Sequence, residues 1–460
     1  MHRKMCITST VLFLTLSAIV FGQTDSRSSS TKKTAVNKYY QQFGVIEIPD
    51  SMDEVTTLDS STLKLNDAIL IGLVNSPQLK AKGMEINALQ ASALQAELYP
   101  NPEVGLDLEN LFGSGNYGSL GQSENTFYVT QDFVLGGRLS AGREVELLKS
   151  DLAAWDLERE RLALITEIRK TFTVISSLQH QNKLNDQLLK ISLDFQENLD
   201  RRFKAGKVSQ AEIARASLIS TSLEILIQNR EMELSSEIQK LKALLGNPNL
   251  SFNRVENICN LEYNIPEIAE LRKSILNSPS LAQYQTDLKR AESAVMFEES
   301  IAIPDLSVSL GYRRINETND NVMVIGASIP IMIFDNNRGS IQEAKIRVDQ
   351  TKYKYSGMLN SSEARLSLLI NNIKGLGTMI EKLDTESLPQ ARSAFEIIDK
   401  GNLVGRFTVL DVLDSQRSLF LLESQYVNAV AEYNRNVIEL EELTLTKFNF
   451  EKKARILEHE

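Results

Sequence analysis

The chain has 460 residues, with 60 acidic against 50 basic side chains and a formal net charge of −10. That balance argues against a nucleic-acid partner. Two cysteines exclude a disulfide framework, and three histidines, His2, His180 and His459, are too scattered for a transition-metal cage, so no cofactor and no metal site are expected.

Residues 1–22 read as a signal peptide: His2, Arg3 and Lys4 precede an apolar run from Val11 to Phe21 that ends on Gly22. The run is too short for a membrane-spanning helix, with Ser9 and Thr10 just before it and Thr15 and Ser17 inside it. Cys6 lies before the apolar run and would leave with the signal, so Cys259 is left without a disulfide partner. Residues 23–60 begin Ser/Thr-rich and aperiodic and are expected to be a flexible lead-in.

Two strands come next. Val104, Leu106 and Leu108 alternate with Gly105, Asp107 and Glu109, and a partner runs from about 126 to 135. Between them "GSGNYG" fits a G-x-G-x-x-G pattern, but another strand follows where a nucleotide-binding fingerprint needs a helix N-terminus, so the run is an outer loop. From Arg143 to Ala205 there is no Gly or Pro, and apolar or small residues recur at alternating steps of four and three. The spacing predicts one helix over 139–204, on the order of 95 Å long. A second helix is expected over 209–246, then a turn-rich insertion at 246–278.

The chain then repeats itself. "LVNSPQLKAKGMEINALQ" at 73 aligns without gaps on "ILNSPSLAQYQTDLKRAE" at 275, Arg138 matches Arg338, and "AGKVSQAEI" at 205 matches "VGRFTVLDV" at 404. Strands at about 304–313 and 322–332 and helices at 338–402 and 408–446 complete the second copy, Pro389 interrupting the first of those helices. The expected division is signal 1–22, lead-in 23–60, first repeat 61–260, second repeat 261–446 and C-terminal tail 447–460. Each strand is of membrane-spanning length, roughly 9–11 residues, with one apolar face, and four strands are too few to close a barrel, so the chain must oligomerise. A small soluble sheet packed on helices would explain the alternation equally well but leaves the long helices without a purpose.

These features together, with "GKVSQAEI" and "GRFTVLDVLDSQRSLF", resemble the TolC-type outer-membrane efflux proteins over about residues 60–446. "YPNPEVGLDLENLFGSGNYGSLGQSENTFYVTQDFVLGGR" is similar to the cobalt-zinc-cadmium branch of that family. The resemblance implies a mainly α protein with a membrane β-barrel segment: a homotrimer with a 12-stranded barrel in outer-membrane lipid and a helical barrel through the periplasm. It also implies a periplasmic membrane-fusion adaptor and an inner-membrane resistance-nodulation-division pump as partners. The cargo would be heavy-metal cations, with drugs or other small solutes as the alternative. Many relatives carry a lipidated N-terminal cysteine, which this chain lacks. A periplasmic coiled-coil adaptor or structural protein is the reading from a different class, though neither would need two membrane-length strand pairs. No catalytic constellation is found.

The chemistry concentrates at the two hairpin turns. Gly206 and Gly405 suit helix C-termini, and Ser209 with Glu212 and Thr408 with Asp411 form capping boxes. Capping accounts for Glu212 and Asp411 but not for Asp414. The resemblance places Asp411 and Asp414 at a paired-aspartate periplasmic pore entrance, with Glu212 nearby, and makes Gly206, Lys207, Val208, Ser209, Gly405, Arg406, Phe407 and Thr408 the adaptor-docking tips. Where the family has a basic residue that latches the entrance, this chain has Phe407, with Arg406 adjacent, so the resemblance does not carry the latch over. Phe407 either meets a partner or packs on its own hairpin. Arg138 and Arg338, where strands become helices, either anchor at the membrane interface or satisfy local carbonyls.

Overall fold

A computed structural model describes residues 61–452 apart from Phe112, 116–119, 259–260, 264, 277, 447 and 449. The expectations for the signal peptide, the lead-in, Cys259 and residues 453–460 lie outside the described residues. All described residues belong to one compact unit, 51–460.

In chain order the elements are β1 (Thr62–Leu63), α1 (Leu65–Asn75), α2 (Pro77–Ala96), β2 (Glu103–Glu109), β3 (Glu124–Phe133), α3 (Arg138–Lys204) and α4 (Gln210–Leu244). The second half has β4 (Arg254–Val255), β5 (Leu261–Tyr263), α5 (Ile268–Leu276), α6 (Pro279–Ile301), β6 (Leu306–Ile315), β7 (Asp320–Ser328), α7 (Arg338–Lys382), α8 (Leu388–Leu403), α9 (Val409–Thr444) and β8 (Phe450–Lys452). At 67 residues, α3 is about 100 Å long. Helices α1, α2, α4, α6 and α9 all pack along it.

The duplication reappears as geometry. Both α2 and α6 begin with proline at the first turn, where a missing N–H costs nothing. Both α3 and α7 start from a left-handed residue, Gly137 (φ 73°) and Asn337 (φ 58°). Glu97 pairs with Arg143 at 3.0 Å in the first half, and Glu299 with Lys345 at 3.1 Å in the second.

The repeats differ where Pro389 interrupts the second. Its missing N–H and its ring break the i→i−4 ladder, and a π-helical turn at Leu383–Ser387 absorbs the mismatch, so α7 and α8 continue nearly as one rod. The insertion after α4 is more ordered than its turn-rich sequence suggests. It holds α5 and two short strands, β4 pairing in parallel with β1 and β5 pairing antiparallel with β8 of the C-terminal tail. Beneath α5 lies the cluster Leu271, Ile275, Leu281, Leu366, Leu369, Ile373, Val437, Leu440 and Phe448. Leu366 is fully buried there, so Leu366→Ala is expected to cost about 2–5 kcal/mol, read as a lowered denaturation midpoint.

Ion pairs tie α3, α7 and α9 together near the same level. Arg169 pairs with Glu441, Lys170 with Glu439 at 2.6 Å, and Arg365 reaches Glu439 at 3.3 Å. Glu441 also accepts the buried backbone N–H of Phe448 at 2.7 Å, fixing the start of the tail against the helices.

The four long strands form one antiparallel sheet in the order β2-β3-β6-β7, leaving β2 and β7 as its edges. Register sets the faces. Leu106 opposes Phe127, Phe127 opposes Tyr312, and Tyr312 opposes Met323, so these four share one face. Val104, Val129, Leu310 and Ile325 form the neighbouring row.

Candidate functional site: the sheet faces and the paired hairpin tips

The apolar rows of the sheet are open to the surroundings: Val104 is 66 % exposed and Ile325 77 %. A contiguous apolar face of this kind is unstable in water and is what a lipid-facing band requires. The other face is polar. Arg313 reaches Glu124 at 2.8 Å, Glu109 at 3.2 Å and Thr126 Oγ1 at 2.8 Å, binding three strands together near the loop end. Tyr128 lies across Gly105, where a side chain would collide with its ring, and donates to Asp107 at 3.4 Å. Glu103 and Asp320 lie on this face too, so carboxylates outnumber its one arginine.

Arg138 has a structural role, met through a carboxylate in place of backbone carbonyls. It pairs with Asp305 at 2.5 Å, and the same carboxylate accepts the Leu135 N–H at 3.2 Å, locking the exit of β3 to the start of β6.

At the other end of the helices the two hairpin turns are built alike. Gly206 and Gly405 have φ of 72° and 77°, as left-handed helix ends require. The Lys207 N–H returns to the Arg202 carbonyl at 2.9 Å and the Arg406 N–H to the Gly401 carbonyl at 2.8 Å, satisfying carbonyls the helices leave open. Each next helix starts from a capping box. The Ser209 N–H donates to Glu212 at 2.7 Å, and the Thr408 N–H to Asp411 at 2.7 Å. In return, the Asp411 N–H donates to Thr408 Oγ1 at 3.2 Å.

These bonds hold both carboxyls below their ordinary range. For Glu212 the backbone N–H of Ser209 contributes most and its hydroxyl next; for Asp411 the Thr408 hydroxyl leads and its N–H follows. Because both folded values are lowered, the caps contribute fully at neutral pH and are lost as pH falls through the depressed values, below the usual carboxylate range of about 4. Intrinsic-rate-corrected hydrogen exchange should show the first turns of α4 and α9 fraying in acid. Glu212→Gln and Asp411→Asn should remove that pH dependence, and its persistence in both would reject the cap account.

Asp414 is exposed, one turn beyond Asp411, with no ion pair or hydrogen bond among the described residues. Phe407 lies over Gly401 of its own hairpin, leaving no room there for a Cβ, and is 37 % exposed. Lys207, Arg406, Leu403 and Val404 are exposed, and Val208 is half-buried.

The sequence reading missed the link between the two tips. Arg202 Nη1 donates to Asn402 Oδ1 at 2.8 Å, and Asn402 Nδ2 donates to the Phe407 carbonyl at 2.9 Å. Asn402 is 2 % exposed, and beside it Leu199 and Ala216 of the first hairpin pack against Val409 and Leu413 of the second. The only signal was a polar asparagine among the last apolar residues of α8, too weak to name its partner. Among the described residues no group of three or more His, Cys, Asp or Glu is arranged to hold a metal ion, and no helix is long and apolar enough to cross a membrane.

A sheet with one lipid-type face and two open edges, continued by a helix some 100 Å long, defines a subunit of a membrane-embedded channel with a long helical extension. Residues 71–247 and 271–444, one segment per repeat, match the family "Outer membrane efflux protein". The chain belongs to that family, and its place is the outer membrane, with the helices in the periplasm.

Among curated relatives, the cobalt-zinc-cadmium resistance protein CzcC of Cupriavidus metallidurans is 28% identical over 80% of this chain and 87% of its own length. The pyoverdine export outer membrane protein OpmQ of Pseudomonas aeruginosa is 25% identical over 79% of this chain and 81% of its own. The solved outer membrane protein VceC of Vibrio cholerae superposes with a TM-score of 0.68 at 19% identity, covering 84% of this chain and 97% of that one.

Proposed function

We propose that three copies of this chain close a 12-stranded barrel and act as the passive outer-membrane duct of a tripartite export system, releasing heavy-metal cations from the cell. The observation that carries this reading is the four-stranded sheet with an exposed apolar face and unpaired β2 and β7 edges, an arrangement lipid tolerates only when the edges are closed. Metal cations come first as cargo because the relative of higher identity and coverage is a cobalt-zinc-cadmium resistance protein and because the polar sheet face is rich in carboxylates. Export of a small organic solute, as the name of OpmQ describes for that protein, is the second reading.

In this arrangement the hairpin tips face the periplasm. Asp411, Asp414 and Glu212 supply negative charge at the tunnel mouth, which gathers cations. The exposed turns Gly206–Ser209 and Gly405–Thr408, with Leu403 and Val404, offer apolar and basic side chains to a periplasmic adaptor, behind which an inner-membrane pump of the resistance-nodulation-division class drives transport.

The purified, detergent-solubilised protein should be a trimer and should insert into planar bilayers as a cation-selective pore. A strain without the gene should become sensitive to cobalt, zinc or cadmium. An anion-selective pore would reject the carboxylate account, and sensitivity to organic compounds alone would transfer the cargo to the second reading.

A further inference from the structure

The segment after β7, "IPIMIFDNN", is the most exposed apolar stretch of the described residues: Ile331 is 82 % and Phe334 95 % exposed. Its counterpart after β3 is not bare in this way. There the strand continues to Phe133 because β6 lies beside it, and Val129, Gln131 and Phe133 oppose Leu310, Val308 and Leu306. Arg138 then closes that joint on Asp305.

The repeat supplies the missing half. Aligned on Arg138 and Arg338, residues 129, 131 and 133 correspond to Ile329, Ile331 and Ile333. The Asn-Ser-Pro alignment equates Leu310, Val308, Leu306 and Asp305 with Leu108, Leu106, Val104 and Glu103. Within one chain these two sets lie on opposite edges of the sheet. Both are exposed, and Val104, Leu106 and Leu108 lie on the apolar face. Ile329, Ile331 and Ile333 follow β7 in the same alternate phase as Met323 and Ile325 but turn at Met332, where the Ile333 N–H meets the Ile331 carbonyl at 2.9 Å. Arg338 and Glu103 are each without an ion-pair partner among the described residues.

We propose that residues 329–334 extend β7 along β2 of a second copy of this chain, with Ile329, Ile331 and Ile333 opposite Leu108, Leu106 and Val104, and with Arg338 closing the joint on Glu103 as Arg138 does on Asp305 within the chain. The proposal rests on the trimeric reading and adds to it a register and a charge pair. The register is carried over from the joint that already exists once in the molecule, and two features agree with it: the hydrophobic rows meet along their length, and opposite charges come together at the same end. It also explains why the run of isoleucines stands free in a single chain: its partner strand belongs to another copy.

The test uses the full-length protein in outer membranes, with Cys259 replaced by serine. Ile331→Cys with Leu106→Cys should give a ladder of covalent dimers and trimers on mild oxidation, because directly opposed side chains lie within reach of a disulfide. Ile331→Cys with Glu103→Cys, out of register and on the opposite face, should give none. Separately, Arg338→Glu and Glu103→Arg should each lower the fraction of detergent-resistant trimer, and the double exchange should restore it. If the parent protein is trimeric and either the ladder or the charge rescue is missing, the proposal is overturned while the channel reading stands. If the parent protein is monomeric in the membrane, both fall.

Discussion

Asp414→Ala is expected to weaken, on the order of tenfold, the block that a trivalent cation exerts from the tip side of the channel, because charge at a narrow mouth raises local counter-ion concentration by that much or more. The three acidic residues near the tips are not equivalent. Glu212 Oε2 and Asp411 Oδ2 each accept both cap bonds, so neither side chain can swing away without unravelling a first helical turn, and removing either costs a cap as well as a charge. Asp414 has no such duty: it stands exposed on α9 above the buried Val412, Leu413 and Gln416. Its replacement should therefore change current and leave trimer stability as it is. Glu212→Ala should do the reverse, destabilising the start of α4 with a small effect on block. Equal block in Asp414→Ala and the parent channel would remove Asp414 from the pore, leaving Asp411 as a cap alone.

Much of this fold was legible because its signals are long-range and redundant. A stretch from Arg143 to Ala205 without Gly or Pro permits little but a helix, and that helix spans Arg138–Lys204. The Asn-Ser-Pro repeats mark the starts of α2 and α6, because serine and proline before an apolar run are helix-start chemistry wherever they occur. The tip turns were legible for the same reason, each being a left-handed glycine followed by a capping box.

What escaped depends on partners far apart in the chain. The short strands β1, β4, β5 and β8 have two or three residues each and exist only because a distant segment supplies the hydrogen bonds. The Arg138–Asp305 and Arg202–Asn402 contacts bridge the two repeats, and no local pattern reports such a pair. The π-helical turn was visible only as a proline; that the helix would absorb it and continue depends on the packing of α8 against α9.

The second large effect is expected from Arg202→Ala, which should raise single-channel conductance. Arg202 is the donor to Asn402 Oδ1, and Asn402 is almost wholly buried between the tips. Without the guanidinium that oxygen keeps its burial and loses its partner, a cost of about 1–3 kcal/mol confined to the contact between the hairpins. The apolar contact of Leu199 and Ala216 with Val409 and Leu413 remains, so the variant should fold and assemble while its tips separate more readily. Charge alone could also alter the current, since Arg202 lies close enough to help hold Glu212 ionised. Arg202→Lys separates the two causes: it keeps the positive charge but lacks the planar fork, so a latch predicts partial opening and a pure charge effect predicts none. Asn402→Ala, which loses both the Arg202 bond and the bond to the Phe407 carbonyl, should open the mouth furthest. Conductance unchanged in both Arg202→Ala and Asn402→Ala would show that the tips are held by their apolar contact, with the polar bridge only satisfying a buried side chain.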